Sequence, residues 1–230
     1  MPLKEELRRN LLFGRLTDEQ LIQVTRRAKR ISMEDGKSLF EQGDSADRFY
    51  LVTRGHMKLF RLAPDGNEKV IEVVSAGHTF AEALMFLEQP RYPVCSQALG
   101  RSEVISIDAV DFLGMLRQSV DLCLLLMADM SFRLRGMIRE IDDLSQHSAT
   151  CRVAGYLFTH APVNSNEFDL LIPKHVLASW LSVKPETFSR IIKSLRSDGV
   201  LEIKGSKVLI KNRAELERIA DTCALPDSAA

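Results

Sequence analysis

The sequence predicts an α+β chain in three parts: an N-terminal β-roll, a long helix and a C-terminal winged helix-turn-helix. Three observations predict it. First, short alternating runs at 48–53, 56–62, 68–74, 94–99 and 103–107 are punctuated by glycines at 36, 43, 55, 66, 77 and 100. Many short strands with turns at regular spacing make an antiparallel sandwich or jelly roll. Second, Val120, Cys123, Met127, Met130, Leu134, Met137, Ile141 and Leu144 recur by threes and fours without a break. That is the a/d seam of a coiled coil. Third, two short helical patterns after Pro173 are joined by Ser182-Val183-Lys184 and followed by two β-rich runs. This is the layout of a helix-turn-helix with a wing. The expected domains are 1–118 (roll), 119–144 (long helix) and 145–230 (winged helix-turn-helix).

Taken in order, residues 3–13 and 17–30 carry helical patterns, and Thr17 with Gln20 fits a capping box. Pro64-Asp65-Gly66-Asn67 reads as a turn between two strands. The 119–144 helix is expected to pair with a second copy of the chain, because a helix serving only its own core shows a wider apolar face. The expected seam is Cys123, Met127, Met130, Leu134, Met137, Ile141 and Leu144. Residues 145–161 form a further helix that buries Val153, Ala154, Leu157 and Phe158, and 162–167 form a loop. In the last helix, Pro185 suits a first position and Asp198-Gly199 supplies the stop.

Composition excludes several classes. The chain has 230 residues, 45% of them hydrophobic, with 31 basic and 31 acidic side chains. That is ordinary for a soluble globular protein. No apolar run is long enough to span a bilayer, so no membrane partner is expected. The start M-P-L-K-E-E-L-R-R-N lacks a signal-peptide core, which points to the cytoplasm. None of Cys95, Cys123, Cys151 and Cys223 makes a C-x-x-C pair, and each is expected to be a small buried apolar residue rather than part of a disulfide framework. Hydrolase, zincin, P-loop and dinucleotide motifs are missing, so an enzyme is not expected.

The chemistry concentrates on the stretch K-P-E-T-F-S-R-I-I-K-S-L-R-S-D-G-V, from Lys184 to Val200. Phe188, Ile191, Ile192 and Leu195 share one helical face. The other face carries Glu186, Ser189, Arg190, Lys193 and Ser197. Such a helix can lie in a DNA major groove. There arginine forks onto guanine O6/N7 and glutamate accepts from a cytosine amine. Residues 173–213 hold nine Lys/Arg against three Asp/Glu in a chain that is neutral as a whole. Local positive charge of this kind is the footprint of phosphate contacts. The candidate DNA-binding residues are Lys184, Glu186, Thr187, Ser189, Arg190 and Lys193. A two-fold dimer would present two such helices to a palindrome.

L-S-V-K-P-E-T-F-S-R-I-I-K-S-L-R-S-D-G-V resembles the recognition-helix signature of the CRP/FNR superfamily of bacterial transcription regulators. Glu186-x-x-Ser189-Arg190 is similar to the FNR and Dnr branches. In the cAMP-receptor branch an arginine stands where this chain has Pro185. The resemblance implies a cyclic-nucleotide-binding-like β-roll as sensor, double-stranded DNA and RNA polymerase as partners, and a T-T-G-A-like half-site. It also implies an effector pocket in T-F-A-E-A-L-M-F-L-E-Q-P-R-Y-P-V-C-S-Q-A: Glu82, Ala83, Leu84, Arg91, Tyr92 and Pro93, joined by Met137 and Ile138 of the long helix. Glu82 takes the ribose position. The Arg-Ser pair that holds the cyclic phosphate in relatives falls on Tyr92-Pro93, with Arg91 one residue early. Proline has no N–H to give and tyrosine has no guanidinium fork, so cAMP is not the expected ligand. The cysteine cluster of iron–sulfur FNR proteins is missing, so no such cluster is expected. The cassette resembles the Dnr branch, which implies a haem-based nitric-oxide input. Of His56, His78, His147, His160 and His175, His78 at the cassette edge is the candidate axial ligand. Two alternatives remain: a regulator responding to cAMP or a related nucleotide, and a ligand-binding regulatory subunit without DNA contact.

Overall fold

The computed structural model describes residues 2–10, 12–62, 68–146 and 148–221, leaving out the side chains of residues 133, 139–146 and 221. The predicted turn at 64–67, His147 and Cys223 therefore lie outside the described residues, as do the side chains of Ile141 and Leu144. The chain divides into two compact units, 1–133 and 134–230.

The first unit opens with helices α1 (Leu3–Leu7) and α2 (Asp18–Arg27). The Thr17 capping box is formed on both sides: Gln20 N–H donates to the Thr17 hydroxyl, and the Gln20 side chain accepts from the Thr17 N–H. The second helical pattern ends earlier than its sequence suggests, because strand β1 (Lys29–Met33) claims its last residues for sheet pairing. Strands β2 (Ser38–Phe40), β3 (Arg48–Leu62), β4 (Glu68–Ser75), β5 (Thr79–Phe80) and β6 (Cys95–Asp108) complete an antiparallel sheet. Its order is β1-β6-β3-β4, with β2 added on β6 and β5 on β3. Helix α3 (Ala109–Leu116) follows, its N-terminus capped by the Asp108 carboxylate accepting from Asp111 N–H at 3.0 Å.

The run Phe49-Tyr50-Leu51-Val52 is apolar throughout because both of its faces are covered. Phe49 and Leu51 join Ile105 and Ile107 under the helices, where the rings of Phe13, Phe49 and Phe112 meet. Tyr50 and Val52 point the other way, into the roll, with Phe40, Met57, Phe80, Tyr92 and Val104. The two long strands bend where their register shifts around Arg54. Gly55 makes this bend possible: its φ is +73°, and a Cβ would lie 2.6 Å from the Arg101 carbonyl oxygen.

Helix α4 (Val120–Gln146) spans the division between the units. Leu122 and Leu126 are buried in the first unit's core. The helix predicted from Ser145 instead starts later, as α5 (Ala149–His160), because the Ser148 hydroxyl accepts from Cys151 N–H and caps it there. Strand β7 (Glu167–Asp169) begins within the predicted loop and pairs with a later strand. Then come α6 (Lys174–Trp180), α7 (Pro185–Ser197), strands β8 (Leu201–Lys204) and β9 (Lys207–Ile210), and α8 (Arg213–Asp221), which packs on α5. The β8–β9 hairpin turns through Gly205 at φ +62° and forms the sheet β7-β9-β8. One cysteine expectation is corrected. Cys95 and Cys123 are free, but Cys151 is disulfide-bonded. Pairing depends on proximity in the fold, which spacing along the chain does not report.

Candidate functional site

Helix α7 starts at Pro185 and ends in a Schellman motif. Val200 N–H donates to the Leu195 carbonyl at 2.9 Å, and Gly199, at φ +71°, donates to Arg196 at 3.2 Å. Phe188, Ile191 and Leu195 are buried, and Ile192 is half-buried. Glu186, Ser189, Arg190, Lys193 and Ser197 are all exposed on the opposite face, and Thr187 is half-buried. The Arg190 guanidinium donates to the Thr187 hydroxyl at 3.2 Å. Among the described residues no carboxylate pairs with Lys184, Arg190 or Lys193. Their charges are therefore available to an external anion.

The link between α6 and α7, read from sequence as Ser182-Val183-Lys184, also takes in Leu181. Ser182 adopts φ +53°, and Val183 N–H reaches back to the Ala178 carbonyl at 2.9 Å. A non-glycine residue held in the left-handed region costs about 1 kcal/mol or more, so neighbouring contacts must hold it. Arg152 on α5 supplies such contacts, donating to the Leu181 carbonyl at 3.0 Å and the Ser182 carbonyl at 3.3 Å. Sequence reasoning missed Arg152, whose only signal was a lone arginine on a largely apolar helix. The end of α7 and the wing add further basic residues: Arg196 on α7 with Lys204 and Lys211, which surround Glu202, and Lys207 beside Glu167.

In the sensor cassette, Ala81 sits at φ +66° and leads into a 3-10 turn, Glu82–Phe86. Glu82 is buried, Leu84 is half-buried against the roll interior, and Ala83 is exposed. Alternation along the next segment turns Arg91 and Pro93 outward and Tyr92 inward. The Arg91 guanidinium donates to the Gly43 carbonyl at 2.7 Å. A one-residue shift that would bring it into the roll is thus not realised. Tyr92 is only 3% exposed. Its backbone bonds both ways to the 43–44 turn, and its ring stacks on Phe40 with centroids 3.7 Å apart. The Tyr92 hydroxyl donates to the Arg48 carbonyl at 2.7 Å, so its contact with the Tyr50 hydroxyl at 3.2 Å must be donated by Tyr50. Burial pushes both phenols above the usual tyrosine range, most strongly Tyr92, which keeps them neutral. Tyr50 and Phe80 extend the stack at 5.2 Å. The roll interior is therefore occupied by four of its own aromatic rings.

Met137 and Ile138, the other pocket candidates, are exposed on the part of α4 in the second unit. Of the expected seam, Met127, Met130, Leu134 and Met137 are exposed, together with Leu124 and Phe132, which the heptad count did not single out. Cys123 is corrected: it packs at the edge of the first unit's core, its thiol 3.2 Å from the Leu116 carbonyl. The heptad count alone could not say which stripe faces the chain's own core. Haem binding needs an axial side chain facing an apolar slot. His78 is exposed on the turn between β4 and β5, and its bonds are made by the backbone: its carbonyl accepts from Val52 N–H at 3.0 Å and its N–H donates to the Ser75 carbonyl at 3.2 Å. This residue as placed does not fit a haem site. No helix among the described residues is long and apolar enough to cross a membrane.

Comparison with known proteins agrees with both units. The family model for the cyclic nucleotide-binding domain matches residues 30–119, and that for the Crp-like helix-turn-helix domain matches residues 151–219. The crystal structure of DNR from Pseudomonas aeruginosa is 35% identical, with 94% of this chain and 96% of that chain covered, at a TM-score of 0.54. The cyclic AMP receptor protein of Thermus thermophilus is 29% identical over 91% of this chain and 96% of its own length. The fumarate and nitrate reduction regulatory protein of Vibrio cholerae is 27% identical, over 88% and 82%. Both of these curated relatives are named as receptor or regulatory proteins, not as enzymes.

Proposed function

Because the chain belongs to the CRP/FNR superfamily of DNA-binding transcription regulators, we propose that it works as a cytoplasmic homodimer on a palindrome of T-T-G-A-like half-sites. The half-sites lie about one helical turn apart. The observation that carries this reading is the exposed Glu186-Ser189-Arg190 face backed by buried Phe188, Ile191 and Leu195. Arg190 forks onto guanine, Glu186 one turn earlier accepts from a cytosine amine, and Ser189 leaves room for a thymine methyl. Lys184 and Lys193 position the protein on phosphates. RNA polymerase is the partner that family membership supports. Sequence selection from random duplexes at fixed salt tests the operator, and enrichment of a half-site without a central G-A step would refute it.

Dimerisation is proposed through the exposed apolar stripe of α4. Leu134→Asp puts a charge into that seam and should give monomers by sedimentation. An unchanged dimer would move the interface elsewhere.

The proposed input is haem with nitric oxide, and its support is the likeness to DNR alone. The rival cyclic-nucleotide reading has the roll's family match in its favour. Against it stand Tyr92 stacked on Phe40 and Arg91 turned outward, which leave no guanidinium for a cyclic phosphate inside the roll. Calorimetric titration with cAMP should show no micromolar binding. An absorption spectrum of the protein after haem and then nitric oxide should show a saturable Soret band that moves with the gas. Loose, non-saturable haem would refute the haem reading.

A further inference from the structure

The wing differs from the recognition helix in how its charges are held. Three cations converge on one carboxylate: from α7, from β8 and from the residue after β9. Lys211 Nζ lies 3.1 Å from Glu202 Oε2, and Lys204 Nζ lies 3.7 Å from Oε1. Arg196 Nη2, near the end of α7, lies 3.8 Å from the same Oε1. The Glu202 side chain is only 22% exposed, whereas its three partners are roughly half or more exposed. The carboxylate thus sits beneath a layer of cations at the base of the hairpin that follows α7. In the same domain, Lys184, Arg190 and Lys193 have no carboxylate partner among the described residues.

We propose that Glu202 is a built-in competitor for DNA phosphate that sets how much positive charge the wing offers. A carboxylate offers cations the same charge-assisted bonds that a backbone phosphate does. Any wing cation that moves onto a phosphate must first give up part of its share of Glu202. One formal charge is therefore subtracted from the wing in the free protein. The subtraction is independent of base sequence, because phosphate contacts position a protein without specifying sequence. Glu202 accordingly restrains binding to all DNA alike and leaves base readout to α7. The lowered carboxyl pKa of Glu202, caused first by the hydrogen bond from Lys211, agrees with a carboxylate kept charged by its neighbours. This inference rests on the winged helix binding DNA.

The test is Glu202→Gln in the full-length protein, measured on the selected operator and on a scrambled duplex across a salt series. Releasing one charge adds about one phosphate contact per protomer, so the plot of log affinity against log salt should steepen by about 0.9 for each. At 0.1 M salt this corresponds to about eightfold tighter binding per added contact. Both duplexes should gain equally, and the enriched half-site should not change. An unchanged slope, or weaker binding with an unchanged thermal melt, overturns the proposal. Should the glutamine variant melt lower than wild type, Lys211→Gln carries the test. Its slope should flatten by less than that of Lys193→Ala, since Lys211 shares its charge with Glu202 and Lys193 does not. Equal flattening overturns the proposal. If wild type binds neither duplex, the DNA reading itself has failed, which is a different outcome.

Discussion

The interior of the roll and the outer face of α7 both hold residues that the sequence marks as functional, and they use them in opposite ways. In and beside the roll, three of the marked groups are bonded to the protein itself: the Tyr92 hydroxyl to the Arg48 carbonyl, the Tyr50 hydroxyl to Tyr92, and the outward Arg91 guanidinium to Gly43. On α7, Arg190 has one weak internal partner, and Lys184 and Lys193 have no carboxylate partner among the described residues. A site that keeps its donors free is poised for an external ligand. In the roll Tyr92 is committed to packing against Phe40, while the recognition helix keeps its charges outward.

The largest effect should come from emptying the roll. Tyr92→Ala removes a buried ring that stacks on Phe40 and the hydroxyl that ties β3 to the cassette. Large aromatic-to-alanine changes in cores cost roughly 3–5 kcal/mol. Urea unfolding followed by far-ultraviolet circular dichroism should show a loss of this order. A cost below about 1 kcal/mol would mean the ring is a movable plug, and the contrast with α7 would weaken.

Next in size is the α7 face. Arg190→Ala should cost about 1–3 kcal/mol on the best operator and relax the guanine preference. Lys193→Ala should weaken all duplexes alike and reduce the salt slope by about one per protomer. If the two variants behaved identically, Arg190 would be a phosphate contact, and base readout would have to be sought elsewhere on the helix.

The two regions also differ in how far they could be read from sequence. On α7, one periodicity separates packing from function: Phe188, Ile191 and Leu195 go inward, so Glu186, Ser189 and Arg190 must face out. Pro185 and Gly199 fix both ends by local chemistry. The cassette offers no such separation. Whether Arg91 or Tyr92 points inward depends on strand alternation, and the phase of that alternation is set by the backbone bonds of Tyr92 to the distant 43–44 turn. The α4 seam lies between these cases. Its period was legible, but the core that buries Leu122 and Leu126 and partly covers Cys123 at the start of the helix is built from other elements. Arg152 and Glu202 were missed for the same reason. Each acts through carbonyls or cations that only the fold brings near.

The smallest effect isolates the hydroxyl of Tyr92 from its ring. Tyr92→Phe keeps the stack on Phe40 and removes the bond to the Arg48 carbonyl, so near neutral pH it should cost about 1 kcal/mol. Its diagnostic is the alkaline limb. An unfolded phenol titrates near pH 10. Burial raises the folded values of Tyr50 and Tyr92 above that. Above about pH 10 the unfolded chain then binds fewer protons than the folded one, and stability must fall as pH rises. The contribution is complete below the unfolded value and is lost as pH climbs through and beyond it. Each phenol still protonated in the fold adds about 1.4 kcal/mol per pH unit to that fall. Tyr156, whose phenol burial also raises, contributes equally to both proteins and cancels in the comparison. Unfolding free energies at stepped pH should therefore show a shallower alkaline decline for Tyr92→Phe than for wild type, the two curves converging as pH rises. Parallel curves would mean that Tyr92 ionises in the folded roll, which requires water at the hydroxyl and an interior open enough to admit a ligand.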